Sequence, residues 1–170
     1  MKDYFFNLSD KIIHQLKDNE YLKLSLSGEK SQFIRFNNAK VRQTGLVENI
    51  DISMEFIVNK RNMSYSLTLL GNPDNDFENI MSNLQSMRDK INDLPEDPFI
   101  VYPKDKGSSQ ESFSGDLLPF NDTVDSLLPA MQGVDLAGIW ASGRIFVGNT
   151  NSTGQKYWFA TDSFSLDYSL

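Results

Sequence analysis

Few residues in this chain could carry catalytic or metal chemistry. The 170 residues include one histidine, His14, and no cysteine. Thiol catalysis, zinc–thiolate sites and disulfides are therefore excluded. One histidine cannot supply an ordinary transition-metal site, and a serine–histidine–aspartate triad would need a serine beside His14 itself. The sequence thus offers no catalytic and no metal-ligating residue, and His14 is interpreted as structural.

Asp51 and Glu55 are the clearest pair of carboxylates, because alternation over residues 50–58 places both on one face of a strand. Four residues along a strand separate two side chains by roughly 13 Å, whereas a glycosidase carboxylate pair needs roughly 5–9.5 Å. The spacing therefore predicts a solvated strand face. Residues 148–154 are glycine-containing but lack the Gly-Lys-Ser/Thr ending of a phosphate loop, which favours a hairpin turn.

Three basic residues, Arg35, Lys40 and Arg42, lie close together in a predicted hairpin. They are the candidate residues for binding a partner or a peptide, although isolated basic residues on a hairpin are usually solvated. The formal net charge of −7 argues against a nucleic-acid module, since neutralising phosphates requires clustered lysine and arginine. Aromatic residues in the last third of the chain are expected to pack in the core or at an interface.

The elements that position these residues follow from hydrophobic periodicity. Residues 4–17 have helical spacing with Asp3 as cap, and residues 20–27 alternate as a strand. Residues 33–36 and 39–43 form a predicted hairpin around Asn37-Asn38, since asparagine tolerates a positive φ. Residues 50–58 and 63–69 predict an antiparallel pair. Asn72 and Pro73 open the clearest helix, which ends before Pro95.

The later part of the chain changes character. Prolines bracket residues 95–103, and residues 104–115 read as a loop rich in serine, glycine and charge. A short helix is expected within residues 123–132. Short strands are expected at residues 136–141, 144–150, 156–161 and 164–170, with turns at Gly143 and at residues 151–154.

These elements predict an α+β fold: two helices on a mostly antiparallel sheet, followed by a mainly β second lobe. We expect an N-terminal α+β lobe at residues 1–95, then a linker and a truncated, mainly β lobe at residues 96–170. The N-terminus lacks the apolar region of a signal peptide, and no stretch is long and apolar enough to span a membrane. We therefore expect no membrane contact and a cytoplasmic location.

Two segments in order carry a family resemblance. The first is residues 31–45, SQFIRFNNAKVRQTG, and the second begins with residues 135–143, DLAGIWASG. Gly148, residues 151–154 (NSTG), Trp158 and residues 163–170 (SFSLDYSL) follow. With Asp97-Pro98 after a helix, this order resembles the N-terminal portion of the TldD/PmbA family, which is related to metallopeptidases and includes proteins called modulators of DNA gyrase. The resemblance covers roughly residues 20–170.

The resemblance implies a longer parent protein engaged in proteolysis and peptide maturation. Metal-bearing members have a His-Glu-x-x-x-His helix and a cysteine ligand in the later half, and nothing here matches that motif. It therefore implies no cofactor and no catalytic residue in this chain, with zinc in the missing C-terminal half. The parent would be a zinc metallopeptidase or its metal-less partner subunit. The N-terminal region would help to enclose the cavity that admits a peptide substrate.

The implied partners are the chain's own C-terminal half and a related subunit in a homo- or heterodimer. The alternative is a complete protein-binding module without enzymatic activity, which would contact its partner through the basic hairpin. An independent hydrolase is disfavoured, since the chain lacks the required side chains. The two main hypotheses differ in whether the reading frame continues after Leu170.

Overall fold

The computed structural model describes residues 1–104 and 106–170, within which three α-helices and six strands occur. The helices are α1 (Lys2–Ile13), α2 (Pro73–Lys90) and α3 (Phe120–Leu127). Short 3-10 helices follow α2 at Ile91–Asp93 and α3 at Leu128–Met131. The strands are β1 (Tyr21–Asn37), β2 (Lys40–Val58), β3 (Arg61–Thr68), β4 (Ser108–Phe113), β5 (Ala137–Asn151) and β6 (Lys156–Ser169).

The strands form a mostly antiparallel sheet in the order β3-β2-β1-β5-β6-β4, which confirms the α+β class. Its edges are β3 and β4. None of the helices in the described part of the chain combines the length and apolar character needed to cross a membrane.

Contacts divide the chain into two compact units. The first unit contains Met1–Ser27, Ile50–Glu111 and Val147–Phe159, and the second contains Gly28–Asn49, Ser112–Phe146 and Ala160–Leu170. Each unit is assembled from three separated stretches, because the long strands β1, β2, β5 and β6 contribute residues to both. The predicted boundary near residue 95, between consecutive lobes, stays a prediction.

In the first unit, α1 and α2 bury one apolar stripe each, with Phe5 and Ile12 on α1 and Ile80 and Leu84 on α2 completely buried. Alternate residues of β1 and β2 complete this core: Leu22, Leu24, Leu26, Ile52, Met54 and Phe56. The side chain of Asn72 caps α2 by accepting from the backbone N–H groups of Asp74 and Asn75, and Pro73 follows it as predicted. The cap of α1 is Met1 rather than Asp3.

The β2–β3 hairpin is antiparallel as predicted, with Met54 opposite Tyr65 and Glu55 opposite Ser64. Its turn residues, Asn59 and Lys60, have φ angles of 48° and 61°. This left-handed conformation gives a two-residue turn the twist of the flanking strands. Alternate residues of β2 in this hairpin are buried, whereas the residues of β3 are half-buried or exposed.

In the second unit, β1 and β5 pack against the 3-10 helix after α3. The buried cluster consists of Ile34, Phe36, Met131, Leu136 and Trp140. Half-buried apolar side chains surround it: Ala39, Val41, Val124, Leu127 and Leu128. The short helical segment expected within residues 123–132 thus supplies one wall of a small core.

The turn of the β1–β2 hairpin lies one residue later than predicted. Asn38 and Ala39 have the positive φ angles, 50° and 51°, whereas Asn37 still belongs to β1. The backbone N–H of Ala39 donates to the carbonyl of Leu136 at 3.1 Å, and Ala39 packs against the buried cluster. Tertiary contacts therefore hold an alanine in a conformation that its own preference disfavours.

Three further expectations about the later part of the chain were wrong. The two strands expected at residues 156–161 and 164–170 are one continuous strand, β6. Gly143 lies inside β5 rather than at a turn, and a Cβ there would approach the carbonyl oxygen of Lys30 to 2.3 Å. Glycine at this position permits close strand approach instead of chain reversal. The predicted loop at residues 104–115 contains β4, whose preceding residue Gly107 accepts a hydrogen bond from the Lys156 N–H at 2.8 Å. Pairing with another strand therefore orders this polar segment.

Candidate functional site

The predicted basic residues share the β1–β2 hairpin of the second unit. Arg35 precedes the turn on β1, and Lys40 and Arg42 follow it on β2. All three side chains are exposed, because they alternate with core positions such as Ile34 and Phe36. The hairpin therefore presents three positive charges close to one turn.

One of these cations lies beside an aromatic ring. The Arg35 guanidinium lies 5.8 Å from the centre of the Phe33 ring, and that ring covers Gly45 on β2. Across the described residues, none of Arg35, Lys40 and Arg42 has a carboxylate within ion-pair distance. Since the chain as a whole is acidic, the hairpin is an unneutralised positive patch suited to an acidic group.

The structure keeps the other candidate residues apart. His14 lies exposed at the end of α1, where its Nδ1 meets the carbonyl of Asp10. Asp51 accepts a hydrogen bond from Thr68 at 2.6 Å, and Glu55 accepts one from Asn62 at 3.1 Å. Each carboxylate is thus engaged with its own neighbour on β3, and the pair forms no acid–base site.

These contacts belong to a polar sheet face in the first unit, which is formed by the residues that alternate with the buried stripe. The hydroxyl groups of Ser53 on β2 and Ser66 on β3 form a hydrogen bond of 2.7 Å. On the other side of the face, Ser25 donates to Asn149 Oδ1 at 2.7 Å. Cross-strand hydrogen bonds therefore hold the hydroxyl and amide groups of this face in fixed positions.

A cleft of about 400 Å³ lies on this face. We call it the sheet-face cleft. The residues that line it include Tyr21, Lys23, Glu55, Tyr102, Asn149, Thr150 and Tyr157. The size lies within the range of small-molecule and peptide side-chain pockets. The alternation in the sequence predicted that Lys23 lies on the polar face of its strand, but the aromatic residues Tyr102 and Tyr157 come from distant segments.

The polar groups of the sheet-face cleft are mixed in charge. Lys23 Nζ and Glu55 Oε2 lie 3.5 Å apart, and both side chains are more than one-third exposed. The buried Thr150 hydroxyl has no hydrogen-bond partner in the described part of the protein. The cleft therefore offers a cation and an anion within one surface depression, whereas the Thr150 hydroxyl is inaccessible to solvent.

Tyr21 forms the aromatic floor of the cleft. Its ring lies 4.4 Å from the ring of Tyr102, centre to centre, and its hydroxyl accepts a hydrogen bond from Asn151 Nδ2 at 3.2 Å. Burial raises the pKa of the Tyr21 phenol, although the hydrogen bond from Asn151 opposes this effect. The phenol is therefore neutral at physiological pH and retains a proton to donate.

The predicted turn at residues 151–154 has a structural role. Asn151 Oδ1 accepts from the N–H groups of Thr153 and Gln155 at 3.1 and 3.0 Å, and from the Thr153 hydroxyl at 2.8 Å. Gly154 has a φ of 99°. An asparagine side chain that mimics a backbone turn explains this block, which joins β5 to β6 as predicted.

The residues present do not fit a zinc site. The chain has one histidine and no cysteine, and within residues 1–104 and 106–170 no group of three histidine, aspartate or glutamate side chains could hold a metal ion. A catalytic zinc normally requires three protein ligands. No step of any mechanism is therefore assigned to a metal held by this chain.

No protein-family model matches the sequence, and no curated protein matches it in sequence. Solved structures do match. One, from Thermotoga maritima, is described as a "putative modulator of a DNA gyrase"; it has 18% identity and a TM-score of 0.67 over 95% of this chain and 38% of its own. TldE from Thermococcus kodakarensis has 10% identity and a TM-score of 0.63 over 97% and 42% of the two chains. A protein from Bacteroides thetaiotaomicron, described in similar words, has 17% identity and a TM-score of 0.62 over 98% and 40%.

This chain therefore spans about two-fifths of the length of the structures that it matches. Identities of 10–18% establish a shared fold rather than a shared activity. The resemblance that the sequence motifs predicted is confirmed at the level of the fold: this chain has the fold of a portion of TldD/PmbA-type proteins, consistent with the N-terminal portion.

Proposed function

We propose that this chain is the non-catalytic N-terminal region of a TldD/PmbA-like metallopeptidase and that it shapes peptide access and provides a dimer contact. The supporting observation is the fold match, which covers 95–98% of this chain but only 38–42% of the longer proteins. A parent of this kind would act in cytoplasmic proteolysis or peptide maturation. Its zinc, if it is the metal-bearing subunit, would lie in the C-terminal half.

The sheet-face cleft is the region that we assign to peptide access. A peptide carries backbone donors and acceptors, and the side chains of Lys23, Glu55 and Asn149, which line the cleft, include both donors and acceptors. Tyr102 and Tyr157 provide amphipathic walls that favour apolar side chains without excluding polar ones. The Lys23–Glu55 pair is loose and exposed, so either group can turn to a charged side chain of the peptide.

Photo-crosslinking tests this assignment. A benzophenone amino acid replaces Tyr157 in the cleft or, as a control, Leu70, which is 69% exposed in the same unit. Both variants are irradiated with a tryptic digest of casein as a source of extended peptides. We expect peptide adducts at position 157 at least tenfold above those at position 70. Equal labelling at the two positions would rule out a peptide site in the cleft.

The length of the native polypeptide tests the proposal as a whole. An antiserum against this chain should detect a protein about 2.5 times as long in the source cells, as the matched fraction of the longer structures implies. The chain by itself should bind no stoichiometric zinc and cleave no peptide in a chelator-sensitive manner. A native product near 19.3 kDa would contradict the proposal.

A stand-alone protein-binding module is the second candidate function. The observation that favours it is the positive patch of Arg35, Lys40 and Arg42, which has no carboxylate neighbour in the described residues. A native product of this chain's own size would support the module. In that case the triple variant Arg35→Ser/Lys40→Ser/Arg42→Ser should lose binding to a poly-glutamate peptide that the wild type retains at low salt.

A further inference from the structure

A second pocket adjoins the sheet-face cleft within the first unit. Its volume is about 520 Å³, and Ile57 and Tyr102 are among the residues that line both cavities. The two cavities follow one another along β2. Glu55 lines the sheet-face cleft, whereas Asn59 and Lys60, at the turn after β2, line the second pocket. The two cavities therefore share a wall on the way from the sheet face to the hairpin turn.

The second pocket is positively charged, and we call it the lysine pocket. Its lining includes Lys60 and Lys104, and no carboxylate is among the lining residues that the structure describes. The sheet-face cleft differs, because its Lys23 lies 3.5 Å from the carboxylate of Glu55. The side-chain charges therefore cancel in the sheet-face cleft, whereas two positive charges lie together in the lysine pocket.

The charges of the lysine pocket have no counter-charge in the described part of the chain, where neither Lys60 nor Lys104 lies within ion-pair distance of a carboxylate. An acidic segment does lie nearby, since the Asp97 N–H donates to the Lys60 carbonyl at 2.8 Å. Its carboxylates have other partners. Glu96 pairs with Arg61 at 3.1 Å, and Asp97 Oδ1 accepts a hydrogen bond from a backbone N–H at 2.9 Å.

We propose that the lysine pocket binds a carboxylate of the peptide that occupies the sheet-face cleft, so that the preferred ligand is an acidic peptide. The inference rests on the peptide site of the proposed function and specifies its substrate class. Glu55 and Asn59 are four residues apart along β2 and its turn, which corresponds to roughly 13 Å. An extended peptide of about five residues therefore reaches from one cavity to the other.

The neutral groups of the lysine pocket also suit a carboxylate. The amide side chains of Asn19 and Asn59 line the pocket together with the two lysines. Ammonium and amide N–H groups both donate hydrogen bonds, and a carboxylate has two oxygens that accept several of them. The pocket therefore offers donors in excess, which a carboxylate satisfies better than a cationic side chain does.

The net charge of −7 does not abolish this local preference. At physiological ionic strength the Debye length is about 8 Å, so carboxylates elsewhere on the surface are largely screened. A carboxylate in direct contact with a lysine is screened much less. Complementary charges in contact contribute mainly to specificity, and we therefore expect discrimination between peptides rather than high affinity.

Fluorescence anisotropy with four labelled octapeptides tests the proposal at physiological salt. The reference is a neutral peptide of serine and leucine with an amidated C-terminus. The others carry one internal glutamate, one internal lysine or a free C-terminal carboxyl group. We expect the glutamate peptide, the free-carboxyl peptide or both to bind about fivefold more tightly than the reference, and the lysine peptide to show no gain. The two carboxylate peptides show whether a side chain or the C-terminus supplies the carboxylate.

The other outcomes separate this inference from the proposed function. Equal affinities for all four peptides would overturn the proposal but would leave the peptide site standing. A preference for the lysine peptide would overturn it as well. No binding of any peptide would refute the peptide site of the proposed function, and this inference with it.

The double variant Lys60→Gln/Lys104→Gln locates the bound carboxylate. It should lose the fivefold preference, with an unchanged urea midpoint because both side chains are exposed. The matched control is Lys90→Gln, an exposed lysine on α2 that lines neither cavity, and it should keep the preference. A preference that survives in the double variant but disappears in Lys23→Gln would place the carboxylate in the sheet-face cleft and overturn the proposal.

Discussion

Arg88 on α2 and Glu20, just before β1, form a bidentate ion pair inside the first unit. The Nε and Nη2 atoms of Arg88 donate to the two carboxylate oxygens at 2.8 and 2.7 Å, and the two side chains are only 11% and 5% exposed. Arg88 also donates to the carbonyl of Gln15 at 2.9 Å. This pair therefore connects α2 to the segment between α1 and β1.

Removing the cation should destabilise the chain. Arg88→Met leaves a buried carboxylate without its partner, and we expect a loss of about 3–5 kcal/mol in the free energy of unfolding. The double variant Glu20→Gln/Arg88→Met should lose less than the sum of the two single variants. Lys23→Met, in the exposed Lys23–Glu55 pair, is the control and should cost less than about 1 kcal/mol. Urea unfolding measures all four, and equal losses for Arg88→Met and Lys23→Met would contradict the prediction.

The same pair predicts a pH dependence. Burial alone raises the pKa of Glu20, but hydrogen bonds from Arg88 and from the Lys17 N–H outweigh it, so the pKa lies below its usual value. The hydrogen bond to Glu20 in turn raises the pKa of Arg88. The unfolded chain therefore binds a proton at Glu20 at a higher pH than the folded chain does.

Linkage between proton binding and folding gives the sign of this pH dependence. The stability contributed by Glu20 is complete above the unfolded pKa, about 4.3, and is lost as the pH falls through the lower folded pKa. The stability difference between the wild type and Glu20→Gln should accordingly shrink as the pH is lowered from 6 to 3. Urea midpoints at a series of pH values measure it, and a constant difference across this range would show that Glu20 titrates normally.

Lys60 should be replaceable by glycine with a gain in stability. Its φ of 61° lies in the left-handed region, which costs an L-residue about 1–2 kcal/mol. Glycine also has greater conformational freedom in the unfolded chain, which offsets part of the strain energy that is removed. We therefore expect the free energy of unfolding to rise by about 1 kcal/mol. Lys40→Gly, at an extended position beside the other hairpin turn, should instead be destabilising. Thermal unfolding compares the two, and a loss in both would contradict the prediction.

Gly143 should not tolerate alanine. A Cβ would lie 2.3 Å from the carbonyl oxygen of Lys30 and 2.4 Å from the Cα of Ser31, and backbone atoms cannot move aside as a flexible side chain can. Overpacking of this kind should cost about 3 kcal/mol. Gly115→Ala is the matched control, because a Cβ there meets nothing within 4 Å. A similar unfolding free energy for both variants would show that the strands separate easily at this point.

Hydrophobic periodicity in the sequence was sufficient to predict the elements whose buried side chains lie close together in the chain. The stripe on α2, the Asn72-Pro73 start of that helix and the antiparallel β2–β3 pair were all predicted correctly. In each, the side chains that alternate or recur are neighbours in the chain. The motif order in residues 31–45 and 135–170 also predicted the fold, because these blocks lie on strands that the fold brings together.

Only the tertiary structure decided the features that depend on distant segments. Ala39 takes a positive φ because Leu136 and the buried cluster hold the hairpin there, and Gly143 lies within a strand because β1 approaches it. The sheet-face cleft joins Tyr21 to Tyr102 and Thr150, which are far apart in sequence. The conformational preference of a single residue does not predict such contacts. The free energy that fixes them comes from packing between distant segments rather than from the residues themselves.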